Sequence, residues 1–273
     1  MTPPPSATTA QSRAKRLATS TSSTRAALAR VLCTSPSGRI TGTTRRGARA
    51  ALTAAWRKGE PDALSALTRV GNAYLAFVLY ELFFAPASKG TLLCIESRPE
   101  LTAQAAARAA RLGYARMRFL TAPLQRAPWP ERIHLLVALH ACDTATDEAL
   151  AGAILHEADH VAVVPCCQAE VARQLKEHPP TSPTLAALAE HPWHRREFAS
   201  HLTNVIRAMA LEAAGYSVTV TELTGWEHSL KNELLLGKKV RRGSATAGQR
   251  LEALLADTGV APRLTRLLAL PRQ

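Results

Sequence analysis

His140, Cys142, Asp143 and Asp147 crowd into one short stretch, Leu139-His140-Ala141-Cys142-Asp143-Thr144-Ala145-Thr146-Asp147. An imidazole and a carboxylate this close are the groups with which proteins move a proton to or from a reacting atom. Two more cysteines follow in Pro165-Cys166-Cys167-Gln168, and one acid, Glu96, stands directly after the run Thr91-Leu92-Leu93-Cys94-Ile95. Further on, Glu227-His228-Ser229-Leu230-Lys231-Asn232 collects Glu227, His228, Lys231 and Asn232 in one turn-like segment, either a wall of a site or a β-turn with a charged rim. Cys142, Cys166 and Cys167 beside His140 raise the question of zinc. Zinc ligands come as pairs separated by about two residues, and adjacent cysteines hold one ion only under strain, so the spacing argues for no metal. Thr146, with Asp147 and Glu148 after it, also reads as the capped start of a helix.

Each of these groups follows a short apolar run. Ile133 to Leu139 is nearly continuous, the pattern of a strand covered on both faces, and Thr91 to Ile95, Arg116 to Leu120 and His160 to Val164 resemble it. Between them the pattern is helical: Leu101, Ala105, Ala109 and Leu112 recur at helical spacing, with Pro99 suited to a first turn and Gly113 to a stop. Leu150, Ile154 and Leu155 mark another helix. Phe198, Leu202, Val205, Ile206 and Met209 mark a third that Gly215 closes, and Ser217 to Leu223 and Glu233 to Leu236 supply late strands. The alternation predicts an α/β fold: a doubly wound, mostly parallel sheet, helices on both faces, and a late antiparallel strand pair. Ligands bind such sheets beyond the carboxyl ends of the strands, where Glu96, His140 and Asp143 stand.

Residues 63–84 admit two readings, one unbroken helix or a strand, a turn and a helix. His191, His194, Arg195 and Arg196 follow Pro179-Pro180-Thr181-Ser182-Pro183 and read as a surface insertion or a lid. Leu251, Leu254 and Leu255, then Leu264, Leu267 and Leu268, form two amphipathic stretches that either pack back on the body or mediate association. The expected organisation is a basic, unfolded N-terminal arm over 1–59, an α/β domain over 60–240, and a linker with a C-terminal amphipathic helical segment over 241–273.

Charge sets that arm apart. Met1 to Lys58 holds eleven of the 34 Lys and Arg residues and none of the 21 acids, so most of the net charge of +13 lies there and the body is nearly neutral. Rich in Ser, Thr, Ala and Pro, the arm has too little apolar surface to offset its ordering entropy. Three readings stand: a solvated tail, an extension that binds RNA phosphates by releasing their counterions, or an organelle-targeting segment. With 47% hydrophobic residues the chain as a whole is not a disordered one. Its apolar runs are too short to span a membrane, and five cysteines at irregular spacing argue against a disulfide framework, so the expected location is cytoplasmic.

Ala138-Leu139-His140-Ala141-Cys142-Asp143-Thr144-Ala145-Thr146-Asp147 with Val163-Val164-Pro165-Cys166-Cys167-Gln168 resembles a pair of motifs, LHxCxxATD and PCCH. These occur in Rossmann-like (class I) S-adenosylmethionine-dependent methyltransferases, in a group that includes the tRNA 2′-O-methylating branch. Gly71-Asn72-Ala73-Tyr74-Leu75-Ala76-Phe77 resembles the end of that group's DxGCGNAYLTF loop, and Glu227 to Asn232 its EHTPKN segment. The resemblance implies a Rossmann-like sheet, S-adenosylmethionine as cofactor and RNA as the substrate class. It further implies cofactor contacts at Gly71, Asn72, Ala73, Glu96 and Leu139, with Glu96 accepting from the ribose hydroxyls and the helix after Gly71 facing the methionine carboxylate. His140 or Asp143 then serves as the base, and Glu227, His228, Lys231 and Asn232 line the acceptor side. Leu67 and Arg69 stand where the group has an acid and a glycine, and no acid occurs at Leu120 to Pro123 to read an adenine amino group. A catalytically silent scaffold that binds nucleic acid or a protein partner is therefore the competing expectation. An oxidoreductase is weaker, because no GxGxxG turn is present.

Overall fold

The apolar runs form one sheet. The computed structural model of the chain describes residues 64–68, 74–85, 90–139, 143–165, 168–222 and 233–268. β1 (Leu64–Thr68), β2 (Thr91–Glu96), β3 (Met117–Thr121), β4 (Leu135–Leu139) and β5 (His160–Val164) pair in parallel. β6 (Tyr216–Glu222) and β7 (Glu233–Lys239) complete the order β3-β2-β1-β4-β5-β7-β6, with β7 antiparallel to both of its neighbours. This is the doubly wound sheet with a late antiparallel pair that the sequence predicts.

β1 decides between the two readings of residues 63–84. Leu67 pairs with Cys94 of β2 on one side and Val137 of β4 on the other, so the segment is the strand from which both halves of the sheet build outward. A helix there would leave the facing ladders of β2 and β4 unpaired inside the protein, a cost that helical periodicity over one turn cannot offset.

Helices cover both faces. α1 (Tyr74–Leu79), which continues as a π-helical turn (Tyr80–Phe84), and α2 (Pro99–Leu112) pack on one of them. α3 (Thr144–Leu155), α4 (Ala169–Glu177), α6 (Pro192–Ala213), α7 (Ala245–Thr258) and α8 (Arg263–Leu267) pack on the other, and α5 (Pro183–Glu190) lies against α6. The strands divide between the two cores by alternation: Leu136, Ala138, Val161, Val163 and Leu235 face α3 and α6, while Val137, Ala162, Val164, Leu234 and Leu236 point the other way. α2 has Pro99 in its first turn and ends at Gly113, whose φ of 72° lets its amide reach the carbonyls of Ala109 and Ala110.

Two local expectations are corrected, and one open choice is decided. The polar segment from His191 to Arg196 is not an inserted loop but the start of α6, which begins at Pro192; proline lacks only a donor that a first helical turn leaves unused, and Arg195 Nη1 donates to the Ala189 carbonyl at the end of α5 at 3.0 Å. Thr146 does not cap α3: the helix starts at Thr144 after Asp143, which has a φ of 50°, and Thr146 is buried within it. The C-terminal stretches pack back on the body, where Leu251 and Leu264 join the core of α3, α4 and α6, so their apolar faces are not left for association. Among the described residues no helix is long and apolar enough to cross a membrane. The basic arm lies outside the described residues.

Candidate active site

Ile95, Glu96 and Ser97 at the end of β2 face Ala122 to Gln125 after β3 and Thr144, Ala145 and Glu148 at the start of α3 across a cleft of about 270 Å³. Ligand pockets begin at roughly 300 Å³, so the space is at the small end and takes part of a ligand rather than the whole of a large one. Its walls are of two kinds. Ile95, Ala122, Pro123, Leu124 and Ala145 are apolar, while Glu96 supplies a carboxylate on one side and Gln125 hydrogen-bonds Glu148 on the other.

Glu96 is buried and already engaged by its own loop. Its Oε1 accepts from the Arg98 amide at 3.2 Å, Arg98 Nε at 3.1 Å and Ser97 Oγ at 3.3 Å, and Oε2 accepts from Arg98 Nη2 at 3.4 Å. Burial opposes the charge, but the hydrogen bonds and positive charge of Arg98 outweigh it and hold the carboxyl below its usual range. Oε2 keeps room for a further donor, and the Arg98 side chain is half-exposed.

Behind the cleft lies a buried polar network. Arg207 of α6 donates from Nε to Asp147 Oδ1 at 2.7 Å, from Nη1 to Asn204 Oδ1 at 3.0 Å and from Nη2 to the Asp143 carbonyl at 2.9 Å. Asn204 donates to Glu233 at the start of β7 at 2.8 Å, and Ser200 donates to Gln168 at 2.8 Å. Burial pushes the Asp147 carboxyl up, and the Arg207 guanidinium works against that shift. The Asp143 carboxylate accepts from the Glu170 amide at 3.2 Å, capping α4 from across the edge of the sheet. Glu170 in turn receives Arg266 Nη2 at 2.5 Å and the Arg263 amide at 2.8 Å, which ties α8 to the same place. Helices α3, α4, α6 and α8 are thus fixed around the ends of β4 and β5.

Of the residues singled out in the sequence, Glu96, the backbone of Leu139 and Asp143 are described at the carboxyl edge of the sheet, and Asp147 is described within the Arg207 network. Gly71, Asn72, Ala73, His140, Glu227, His228, Lys231 and Asn232 lie outside the described residues, as do Cys142, Cys166 and Cys167. Among the described residues no group of His, Cys, Asp and Glu side chains is placed to hold a metal ion. Sequence reasoning missed Gln125 and the Arg207 network. The one signal for the network is an asparagine and an arginine three apart within the apolar pattern of α6, and it carries no hint of a partner 60 residues earlier.

Residues 66–174 match the family model of a methyltransferase domain. The match runs from within β1 into α4 and takes in Glu96, the edge of the cleft and Asp143. No curated protein matches the sequence. Among solved structures, an rRNA methylase from Streptococcus thermophilus aligns with a TM-score of 0.47 at 10% identity, over 74% of this chain and 100% of that one. A SAM-dependent methyltransferase from Aquifex aeolicus aligns with a TM-score of 0.44 at 14% identity, over 69% and 89% of the two chains. A methyltransferase from Podospora anserina with SAH bound gives 0.41 at 11% identity, over 72% and 79%.

Proposed function

We propose that the chain is an S-adenosylmethionine-dependent methyltransferase that acts on RNA, with tRNA as the favoured class. One observation carries the reading: a buried, charged glutamate, Glu96, ends β2 on the wall of a small cleft at the carboxyl edge of a doubly wound sheet. Adenosine is the part of the cofactor that fits there, since the cleft pairs an acceptor for ribose hydroxyls with apolar surface for a base. The match of residues 66–174 to a methyltransferase domain supports the reading.

When bound, the cofactor supplies an electrophilic methyl carbon on a positively charged sulfur. Glu96 accepts from the ribose hydroxyls as Arg98 gives way. Ala122, Pro123, Leu124 and Ala145 flank the adenine, and the Gln125 amide replaces the acid that is missing after β3. Gly71, Asn72 and Ala73, between β1 and α1, take the amino-acid end near the positive end of the helix, and Leu139 at the end of β4 is a further cofactor contact. His140 is the base that accepts the proton of the attacking hydroxyl or amine. Asp143 positions that loop, because its carboxylate is committed to the amide of Glu170. Glu227, His228, Lys231 and Asn232, between β6 and β7, form the acceptor wall, and the basic arm holds RNA phosphates at a cytoplasmic site of action.

Calorimetric titration with S-adenosylmethionine tests this. Saturable binding that is lost in Glu96→Ala is the expected result. Absence of binding at millimolar cofactor favours a second reading, a silent methyltransferase-like scaffold for nucleic acid or a protein partner. Arg98 on both oxygens of Glu96, with Leu67 and Arg69 in place of an acid and a glycine, is the observation behind it. Leu67→Asp with Arg69→Gly would then create affinity where the natural chain has none.

A further inference from the structure

α6 is longer than the sheet it covers. β6 returns parallel to β5, so α6, which feeds it, runs from the carboxyl edge of the sheet to the amino edge. Asn204 is level with that carboxyl edge, since it donates to Glu233 at the start of β7. At about 1.5 Å per residue, Trp193 lies about 16 Å further along the helix, beyond that edge.

One stripe of α6 changes character along this length. Trp193, Arg196, Ser200, Asn204 and Arg207 recur at three- and four-residue spacing and share a face. The lower part is consumed: Arg207 and Asn204 are buried in the network, and Ser200 reaches Gln168. The upper part is bare. Trp193 is 64% exposed, and the Arg196 guanidinium stacks over its ring at 4.2 Å from the centroid. Arg196 also meets Glu197 at 3.2 Å, an exposed pair that water screens. His194 and His201 are exposed on the neighbouring turns. An exposed indole backed by a guanidinium is costly to leave in water and useful against a planar, electron-rich ring beside a negative charge.

We infer that the overhanging turns of α6 are a base-stacking platform for single-stranded RNA, with Trp193 stacking an unpaired base and Arg196 meeting the adjoining phosphate. This rests on the methyltransferase reading and names where its substrate is held: the stripe runs from the platform down to Ser200, which reaches Gln168 beyond the end of β5. RNA is favoured over a protein partner because the exposed indole carries a stacked guanidinium rather than standing in a contiguous apolar patch.

The test is fluorescence anisotropy on the full chain, with a short fluorescein-labelled single-stranded RNA of mixed sequence and an abasic oligonucleotide of equal length. The basic arm binds both through their phosphates. Trp193→Ala is expected to weaken binding to the RNA about tenfold, the worth of one stacked base, and to leave the abasic strand unaffected, while Trp193→Phe restores most of the loss. Equal affinity of wild type and Trp193→Ala for the RNA overturns the platform, and so does an equal loss on the abasic strand. Calorimetric cofactor titration of the wild type keeps the two proposals apart. A normal cofactor isotherm with no effect of Trp193→Ala overturns the platform alone. No isotherm, with the Trp193→Ala loss intact, overturns the methyltransferase reading and leaves a surface that binds RNA.

Discussion

Arg207 Nε stands 2.7 Å from Asp147 Oδ1, and both side chains are almost entirely out of solvent. The pair joins α6 to the first turn of α3, and the remaining guanidinium nitrogens hold Asn204 and the Asp143 carbonyl. Removing one member leaves a buried charge without its partner. Arg207→Met is expected to cost about 3–5 kcal/mol in urea unfolding, and Asp147→Leu added to it should recover part of that loss. A single variant as stable as wild type would refute the coupling.

Glu96 gives a pH signature. Its carboxyl is held below the ordinary value of 4.5, so the folded state favours its charged form. The stabilisation is full above that ordinary value and is lost as the pH falls through the lowered one. The Tm difference between wild type and Glu96→Gln should therefore be constant around neutrality and shrink only below about pH 4.5. A difference that already shrinks above that point would mean that Arg98 does not engage Glu96 in solution.

Cys94 is buried in β2, and burial pushes its thiol up to about 12. The thiolate is the reactive form, so Cys94 should resist alkylation at mildly alkaline pH until the protein unfolds. Peptide mapping after iodoacetamide treatment, with and without denaturant, reads this directly.

Gly215 links α6 to β6 at a φ of 92°, and a Cβ there would lie 2.2 Å from the Arg241 carbonyl oxygen. That carbonyl belongs to the chain leaving β7, and the Gly215 carbonyl accepts from the Val240 and Arg241 amides. Gly215→Ala should destabilise by at least about 1–3 kcal/mol in thermal or urea unfolding. By contrast, Gly248→Ala in α7, where a Cβ meets nothing, should be neutral or mildly stabilising.

Much of this architecture is legible in the order of residues. Short apolar runs such as His160 to Val164 must be covered on both faces, Pro99 and Gly113 bracket a helix, and the repeat of Leu202, Ile206 and Met209 specifies another. Those are local consequences of side-chain period and backbone preference, and they place Glu96 at a strand end and Asp143 in the loop beyond another. Three things were decided only by tertiary structure. Residues 64–68 are a strand because β2 and β4 offer ladders on both sides. The Asp143 carboxylate caps α4 because β4 and β5 are neighbours, which brings Glu170 within 3.2 Å. Asp147 and Arg207 meet, 60 residues apart, because α3 and α6 pack on the same face of the sheet. Periodicity reports which face of an element seeks cover, while the partner it finds there depends on chain order through the whole sheet.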